Sequence, residues 1–132
     1  MLRCAGGSDP GRVRNNNEDA YWIDADRGAF LVVDGIGGQA AGEKAAAIAV
    51  ERVRTRLERP TGNTEQRIRE AITLANNEIL RTASANPQWE GMACVLTLAV
   101  LEDSSAVVGH VGDSRLYLIQ NGSIRKIAPL SN

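Results

Sequence analysis

Apolar residues change their spacing along the chain, and each change predicts a different kind of element. Two short apolar runs, at residues 20–24 and 29–33, predict two β-strands joined by a turn at residues 26–28. The second run contains Phe-Leu-Val-Val without a polar interruption. Because both faces of such a strand are apolar, we expect it to be covered on both sides.

Helical spacing follows over residues 40–59 and again from Thr64. Apolar side chains of the first stretch recur on one face of a helix, which Pro60 ends. Thr64 is suited to be the N-cap of the second helix, and Asn86-Pro87 ends it. The apolar stripes are Ala46, Ala49, Val50, Val53 and Leu57 in the first helix, and Ile68, Ala71, Ile72, Ala75 and Ile79 in the second.

The last third of the chain returns to strand-like spacing, in runs at residues 94–101, 106–111 and 115–119. Asn121-Gly122 is a strong hairpin signal and leads into a further strand over residues 123–127. The predicted order is a strand pair, two helices and an antiparallel meander. This order predicts an α+β fold with helices layered on an antiparallel sheet, since a doubly wound α/β fold requires alternation.

Length and charge narrow the classes of function. The chain has 132 residues, enough for one domain. Its 15 basic and 16 acidic residues argue against binding to nucleic acid or to a membrane surface through a general electrostatic field. No apolar stretch approaches the length of a membrane span, and the N-terminus lacks a secretory apolar segment. Cys4 and Cys94 lie far apart, which suits a reducing cytoplasm and supports neither a disulfide nor a zinc site.

Acidic residues cluster at three element ends: Glu18 with Asp19, Asp34 before Gly35, and Asp113 after a glycine. Carboxylates and carbonyls at strand ends are suited to Mg²⁺ and Mn²⁺, which prefer oxygen ligands. Two such ions can activate a water and neutralise a phosphoryl group. Taken singly, however, each cluster is more commonly an ordinary turn.

Two basic residues and one glycine loop leave alternatives open. Arg14 precedes the first acidic cluster and could clamp a phosphate, although spacing alone favours a solvated loop arginine. His110 can face either side of its strand, and we expect it to be structural rather than catalytic. Residues 35–40 fit the dinucleotide pattern GxGxxA. Such a site needs a second parallel strand ending in an acidic residue, and helical sequence occupies that place, so the context disfavours nucleotide binding.

Four segments in order resemble the PP2C family of metal-dependent serine/threonine protein phosphatases, especially its compact bacterial members. They are SDPGRVRNNNEDAYWID (8–24), AFLVVDGIGGQAAGEKAA (29–46), GMACVLTLAVL (91–101) and GHVGDSRLYLIQNG (109–122). The resemblance implies a β-sandwich flanked by helices in α-β-β-α layers. Residues 1–132 would form the N-terminal portion of one such domain, incomplete without its C-terminal part.

The resemblance also implies roles for particular residues. Asp34 would bridge two Mn²⁺ or Mg²⁺ ions, and the Gly35 carbonyl would ligate one of them. Glu18 and Asp19 would hold metal-bound waters, and Asp113 a third, weaker metal. Arg14 would bind the substrate phosphate. The implied reaction is attack of an activated water on phosphoserine or phosphothreonine of a protein, without a phosphoenzyme intermediate.

The sequence departs from the family pattern in three places. Gln39 stands where a histidine is usual, and residues 91–95 lack the usual threonine pair. The chain also stops before the family's later metal-binding aspartates. We therefore expect negligible activity from this chain alone, and association with itself or with a complementing C-terminal fragment. The alternative is an inactive fragment that binds a phosphoprotein or a partner chain.

Overall fold

The computed structural model describes residues 2–13, 16–38, 40–112 and 115–127. Within these residues the predicted strands and helices are all present, with bounds that differ by up to three residues. In chain order they are β1 (Asp19–Asp24), β2 (Ala29–Ile36), α1 (Ala41–Glu58), α2 (Thr64–Ala85), a short 3₁₀ turn (Pro87–Trp89), β3 (Ala93–Glu102), β4 (Ser105–Val111), β5 (Tyr117–Gln120) and β6 (Ser123–Lys126). The α+β class predicted from the sequence is confirmed.

The strands form two antiparallel sheets. One sheet has the order β1-β2-β3-β4, and the other is the β5–β6 hairpin. The expectation of one continuous meander is therefore wrong at the step from β4 to β5. The chain leaves the first sheet at Gly112, whose φ of 97° ends the extended conformation. Because β2 pairs only with antiparallel neighbours, the parallel strands of a dinucleotide-binding unit are absent from the described residues.

Both helices pack on one face of the four-stranded sheet and form the core with it. The fully buried side chains include Leu31 and Val33 of β2, Leu98 of β3, Val53 of α1 and Ile68 of α2. We call the opposite side of this sheet the outer face; it carries Asp19, Tyr21, Val32, Asp34, Thr97 and His110. Along β2, burial alternates, and Val32 is 55% exposed. The apolar run of β2 predicts a need for cover on both faces; in the described chain the helices cover one face, and the outer face is exposed.

The connection between the helices depends on Asn63 and Arg56. Asn63 Oδ1 accepts a hydrogen bond from Gln66 N at 2.8 Å, so Asn63 is the N-cap of α2 and Thr64 is the first helical residue. The predicted Thr64 cap is wrong by one position. Arg56 is buried; it pairs with Glu70 at 2.7 Å and donates to the carbonyls of two residues in the connection.

Neither α1 nor α2, as described, has an apolar stretch that could cross a lipid bilayer.

Candidate metal centre

Two carboxylates lie side by side where β1 begins and β2 ends. Asp19 is the direct cross-strand partner of Asp34, and both residues are exposed. Residues that face each other in an antiparallel pair have Cβ atoms about 5 Å apart, on the same face of the sheet. Like charges at such positions repel each other. A cation shared between the two carboxylates removes that repulsion, which makes this pair a candidate metal centre.

Glu18 reaches the same end of the sheet but lies on its helix side. The carbonyl oxygen of Glu18 accepts a hydrogen bond from Gly35 N at 2.8 Å. Its carboxylate lies against Gly42 in the first turn of α1, so closely that a Cβ on Gly42 would overlap it. The N-terminus of a helix carries a partial positive charge that stabilises a carboxylate. Ala40, at the N-cap of α1, has no side-chain group to satisfy this end.

Gly35 brings the end of β2 into backbone contact with α1. A Cβ on Gly35 would overlap the carbonyl group of Gly42. The two glycines therefore set the distance between the strand that carries Asp34 and the helix turn that holds Glu18. Sequence reasoning missed Gly42. The available signal was a glycine in the first turn of an otherwise alanine-rich helix, a position where glycine costs helix stability.

β2 lies between β1 and β3, and on the β3 side Asp34 is paired with Val95. Gly112 follows Val111, which is paired with Leu96, so Gly112 lies beside Val95. A Cβ on Gly112 would overlap the Val95 side chain. The end of the sheet thus presents a continuous row from Asp19 through Asp34 and Val95 to Gly112.

Three residues singled out by the sequence lie outside the described residues: Arg14, Gln39 and Asp113. Their positions in the sequence are nevertheless adjacent to described parts of the site. Asp113 follows Gly112 directly, and Gln39 lies between Gly38 and the start of α1. The structure therefore brings together Asp19 and Asp34 on the outer face, and Glu18 and Gly35 beside α1.

A groove of about 520 Å³ runs along the outer face to the two aspartates. Its wall is the N-terminal segment, residues 5–9, which crosses β1 with Gly6 against the Tyr21 ring. Its floor includes Tyr21 and Val32, and Asp19 and Asp34 line it as well. The groove therefore offers an apolar surface that leads to a pair of carboxylates.

The donor set at this end of the sheet suits a hard divalent cation. Mg²⁺ is commonly held by only one or two carboxylates and keeps several waters. Asp19 and Asp34 meet that requirement. Among the described residues, however, no group of three or more His, Cys, Asp or Glu side chains could enclose a metal ion. The two described carboxylates would therefore suit only an open, partly hydrated site.

Cys94 of β3 precedes Val95 in this row at the end of the sheet, and it is the cross-strand partner of Gly35. Burial, and to a lesser extent the negative charge of Asp34, raises the pKa of the Cys94 thiol to about 11. The thiol is therefore protonated at neutral pH, and a protonated thiol is a poor metal ligand and a poor nucleophile. Cys94 is partly buried and packs against the core beside the site.

Comparisons with known proteins agree on one family. The family model described as protein phosphatase 2C matches residues 10–130. The chain is 34% identical over 128 residues to the serine/threonine protein phosphatase PstP of Mycobacterium tuberculosis, covering 96% of this chain and 24% of that protein. It is 32% identical over 128 residues to the serine/threonine phosphatase stp of Listeria monocytogenes, covering 91% of this chain and 51% of that protein.

Solved structures show the same likeness. The crystal structure of the M. tuberculosis phosphatase PstP/Ppp has a TM-score of 0.84 at 31% identity, covering 92% of this chain and 52% of that one. The PstP catalytic domain in complex with two manganese ions also has a TM-score of 0.84, at 31% identity, with 92% of this chain and 53% of that chain covered. The chain thus spans about half of these structures, and a quarter to a half of the curated relatives. This chain belongs to the protein phosphatase 2C family.

Proposed function

We propose that these residues form the first part of a single catalytic domain that hydrolyses phosphoserine and phosphothreonine in proteins with the help of divalent cations. The observation that carries the proposal is the direct pairing of Asp19 with Asp34 at one end of the sheet. Family membership and the names of the relatives support the reaction and the substrate class. The predicted cytoplasmic location belongs to the same proposal.

In this proposal Asp34 bridges two Mn²⁺ or Mg²⁺ ions, and the Gly35 carbonyl is a further ligand. Glu18 and Asp19 hold waters of the metal centre, Asp113 contributes to a third, weaker site, and Arg14 binds the substrate phosphate. The PstP structure with two manganese ions supports the number and the kind of ion. Our assignment of each role rests on the resemblance of the sequence motifs.

The described residues have distinct tasks in such a site. Bound divalent cations would neutralise the phosphoryl charge and lower the pKa of a water. Glu18 is held by its contact with Gly42 at the N-terminus of α1, so its carboxylate can accept water hydrogens in a fixed orientation. Asp19 and Asp34 provide negative charge on the outer face.

A chimera tests the catalytic proposal. In it, residues 1–132 replace the matching half of the M. tuberculosis PstP catalytic domain. We expect the chimera to hydrolyse a phosphothreonine peptide in the presence of Mn²⁺, and to lose this activity when the metal is chelated. The 132-residue chain alone should show weak Mn²⁺ binding and negligible turnover. A folded chimera without Mn²⁺-dependent turnover would contradict the proposal.

The outer face supports a second proposal, about what covers it. Tyr21, Val32 and Ile36 are between 44% and 55% exposed on this face. Tyr21 and Val32 are cross-strand partners, and exposed apolar side chains placed side by side favour an interaction site. The proposed occupant is the remaining half of a family domain, because the chain covers 52% of the M. tuberculosis structure. A second copy of the chain is the alternative occupant.

Lysine substitutions in the chimera distinguish a covered face from an open one. If the second half covers Val32, then Val32→Lys buries a charge and should lower stability by about 2 kcal/mol or more. Leu74→Lys is the matched control, because Leu74 is 40% exposed on α2, away from this face. Thermal melting of the two variant chimeras measures both changes in stability. Equal melting temperatures would overturn the proposed covering, and concentration-dependent light scattering of the isolated chain would favour a second copy.

A further inference from the structure

Asn17 lies just before β1, and its side chain joins two parts of the described chain. The Asn17 Oδ1 atom accepts a hydrogen bond from the backbone N–H of Asp19 at 3.0 Å. The Asn17 Nδ2 atom donates a hydrogen bond to Ser8 Oγ at 2.7 Å. Ser8 belongs to the N-terminal segment that forms the wall of the groove. One amide group therefore contacts both the start of β1 and this segment.

The hydrogen bonds between β1 and β2 explain why the N–H of Asp19 needs such a partner. Gly35 N donates to Glu18 O at 2.8 Å, one position outside the pair formed by Asp19 and Asp34. Hydrogen-bonded and non-hydrogen-bonded pairs alternate along antiparallel strands, so Asp19 and Asp34 form a non-hydrogen-bonded pair. The N–H of Asp19 then points away from β2. In the described part of the chain β1 is the edge of the sheet, and Asn17 supplies the acceptor on that side.

The two hydrogen bonds hold a single peptide unit at both of its ends. The carbonyl of Glu18 and the N–H of Asp19 belong to the same peptide unit, which is planar. Gly35 holds the carbonyl end, and Asn17 holds the N–H end. The orientation of this plane determines the directions in which the two acidic residues leave the backbone. Glu18 is directed towards α1, and Asp19 lies beside Asp34 on the outer face.

We infer that Asn17 is a positioning residue for the acidic pair Glu18 and Asp19. It acts through the N–H of Asp19 rather than on the metal ions or the substrate. This inference rests on the proposed function, in which Glu18 and Asp19 hold waters of the metal centre. Groups that orient metal ligands typically change metal affinity about 10- to 100-fold when they are replaced. A merely structural Asn17 would affect stability and leave the Mn²⁺ affinity of the folded chain unchanged.

Mn²⁺ titration of the 132-residue chain, followed by electron paramagnetic resonance, tests the inference. Asn17→Ala removes the acceptor of the Asp19 N–H, and we expect the Mn²⁺ affinity to fall about tenfold. Asn17→Ser keeps an oxygen that can accept from the N–H two residues on, so it should restore part of the affinity. Asn17→Gln moves the amide one methylene further out and provides the loss variant if Asn17→Ala does not fold.

Ser8→Ala is the matched control, because it removes the other hydrogen bond of Asn17 and keeps the contact with Asp19. We expect its Mn²⁺ affinity to stay close to that of the wild type. If Ser8→Ala weakened Mn²⁺ binding as much as Asn17→Ala, the effect would belong to the N-terminal segment and the inference would be wrong.

Hydrogen exchange of the Asp19 amide, followed by nuclear magnetic resonance, provides a readout without metal. We expect this amide to be protected in the wild type and in Ser8→Ala, and to exchange faster in Asn17→Ala. Rapid exchange in the wild type would overturn the inference. So would unchanged Mn²⁺ affinity in Asn17→Ala while Asp34→Asn abolishes binding, in which case the proposed function would stand. Absence of any Mn²⁺ binding by the wild type would overturn both.

Discussion

Asp34→Asn should abolish the stabilisation of this chain by Mn²⁺ and reduce phosphatase activity of the chimera by at least about a hundredfold. A ligand that binds only the folded state at about ten times its dissociation constant stabilises that state by about 1.4 kcal/mol. For a domain of this size this corresponds to a rise in melting temperature of roughly 5 °C. Asparagine keeps the shape of the side chain but removes the negative charge, so the rise should disappear. Loss of cation-dependent charge neutralisation costs several kcal/mol in the transition state, and each 1.4 kcal/mol or so is a factor of ten in rate.

The matched control is Asp24→Asn, the same chemical change at the opposite end of β1. Asp24 is paired with Ala29, and Arg27 contacts its carboxylate at 2.6 Å, which lowers the pKa of Asp24. This exposed ion pair contributes little to stability, about 0–1 kcal/mol. Mn²⁺ should therefore stabilise Asp24→Asn as much as the wild type. Thermal melting with and without Mn²⁺ makes the comparison. If Asp34→Asn keeps the full Mn²⁺ shift, Asp34 is not the centre of the site.

The elements of this fold could be predicted because each carries its own local signal. The helical stripe of α1 and the apolar run of β3 are long enough to determine the element type, and Pro60 marks one boundary. The N-cap of α2 could not be predicted to the residue. Asn63 and Thr64 are adjacent and both are good caps, so the choice depends on the path of the preceding connection.

The arrangement of the site depends on the register of β1 with β2. Acidic residues at strand ends predict one shared end of the sheet, but not which of them face each other. A shift of one residue would turn every side chain of β1 to the other face. The observed register places Asp19 beside Asp34 and turns Glu18 towards α1. The place of His110 opposite Thr97 also depends on register, here between β3 and β4, and periodicity alone left its face undecided.

The open outer face is a further feature that local sequence could not show. The apolar run of β2 predicts cover on both sides, yet the described helices occupy only one. Whether Val32 is covered depends on residues distant in sequence, or on another chain. The apolar pattern of a strand shows that a face must be buried, but it does not identify the residues that bury it.

Gly35→Ala should destabilise the chain by about 3 kcal/mol or more, because the added Cβ overlaps the backbone of Gly42. A flexible side chain could move aside at small cost, but a carbonyl within the first turn of α1 can move only with the helix. The end of β2 and α1 would have to separate, which disturbs the core around Val33 and Ala45. Chemical denaturation measures the loss. A change within about 0.5 kcal/mol, as for ordinary surface substitutions, would show that the contact is not tight.

Two further alanine substitutions separate stability from the site. At Gly38 nothing lies within 4 Å of an added Cβ, and Gly38 is not among the glycines with positive φ. Gly38→Ala should therefore be neutral or stabilise by up to about 1 kcal/mol, because alanine lowers the entropy of the unfolded chain.

At Gly42 the overlapping atoms are the end of the Glu18 side chain, which can rotate away. Gly42→Ala should therefore fold but release Glu18 from the helix terminus. We expect Gly42→Ala to bind Mn²⁺ more weakly than the wild type and to lose less stability than Gly35→Ala. Equal losses of stability in Gly42→Ala and Gly35→Ala would show that Glu18 is held too firmly to move.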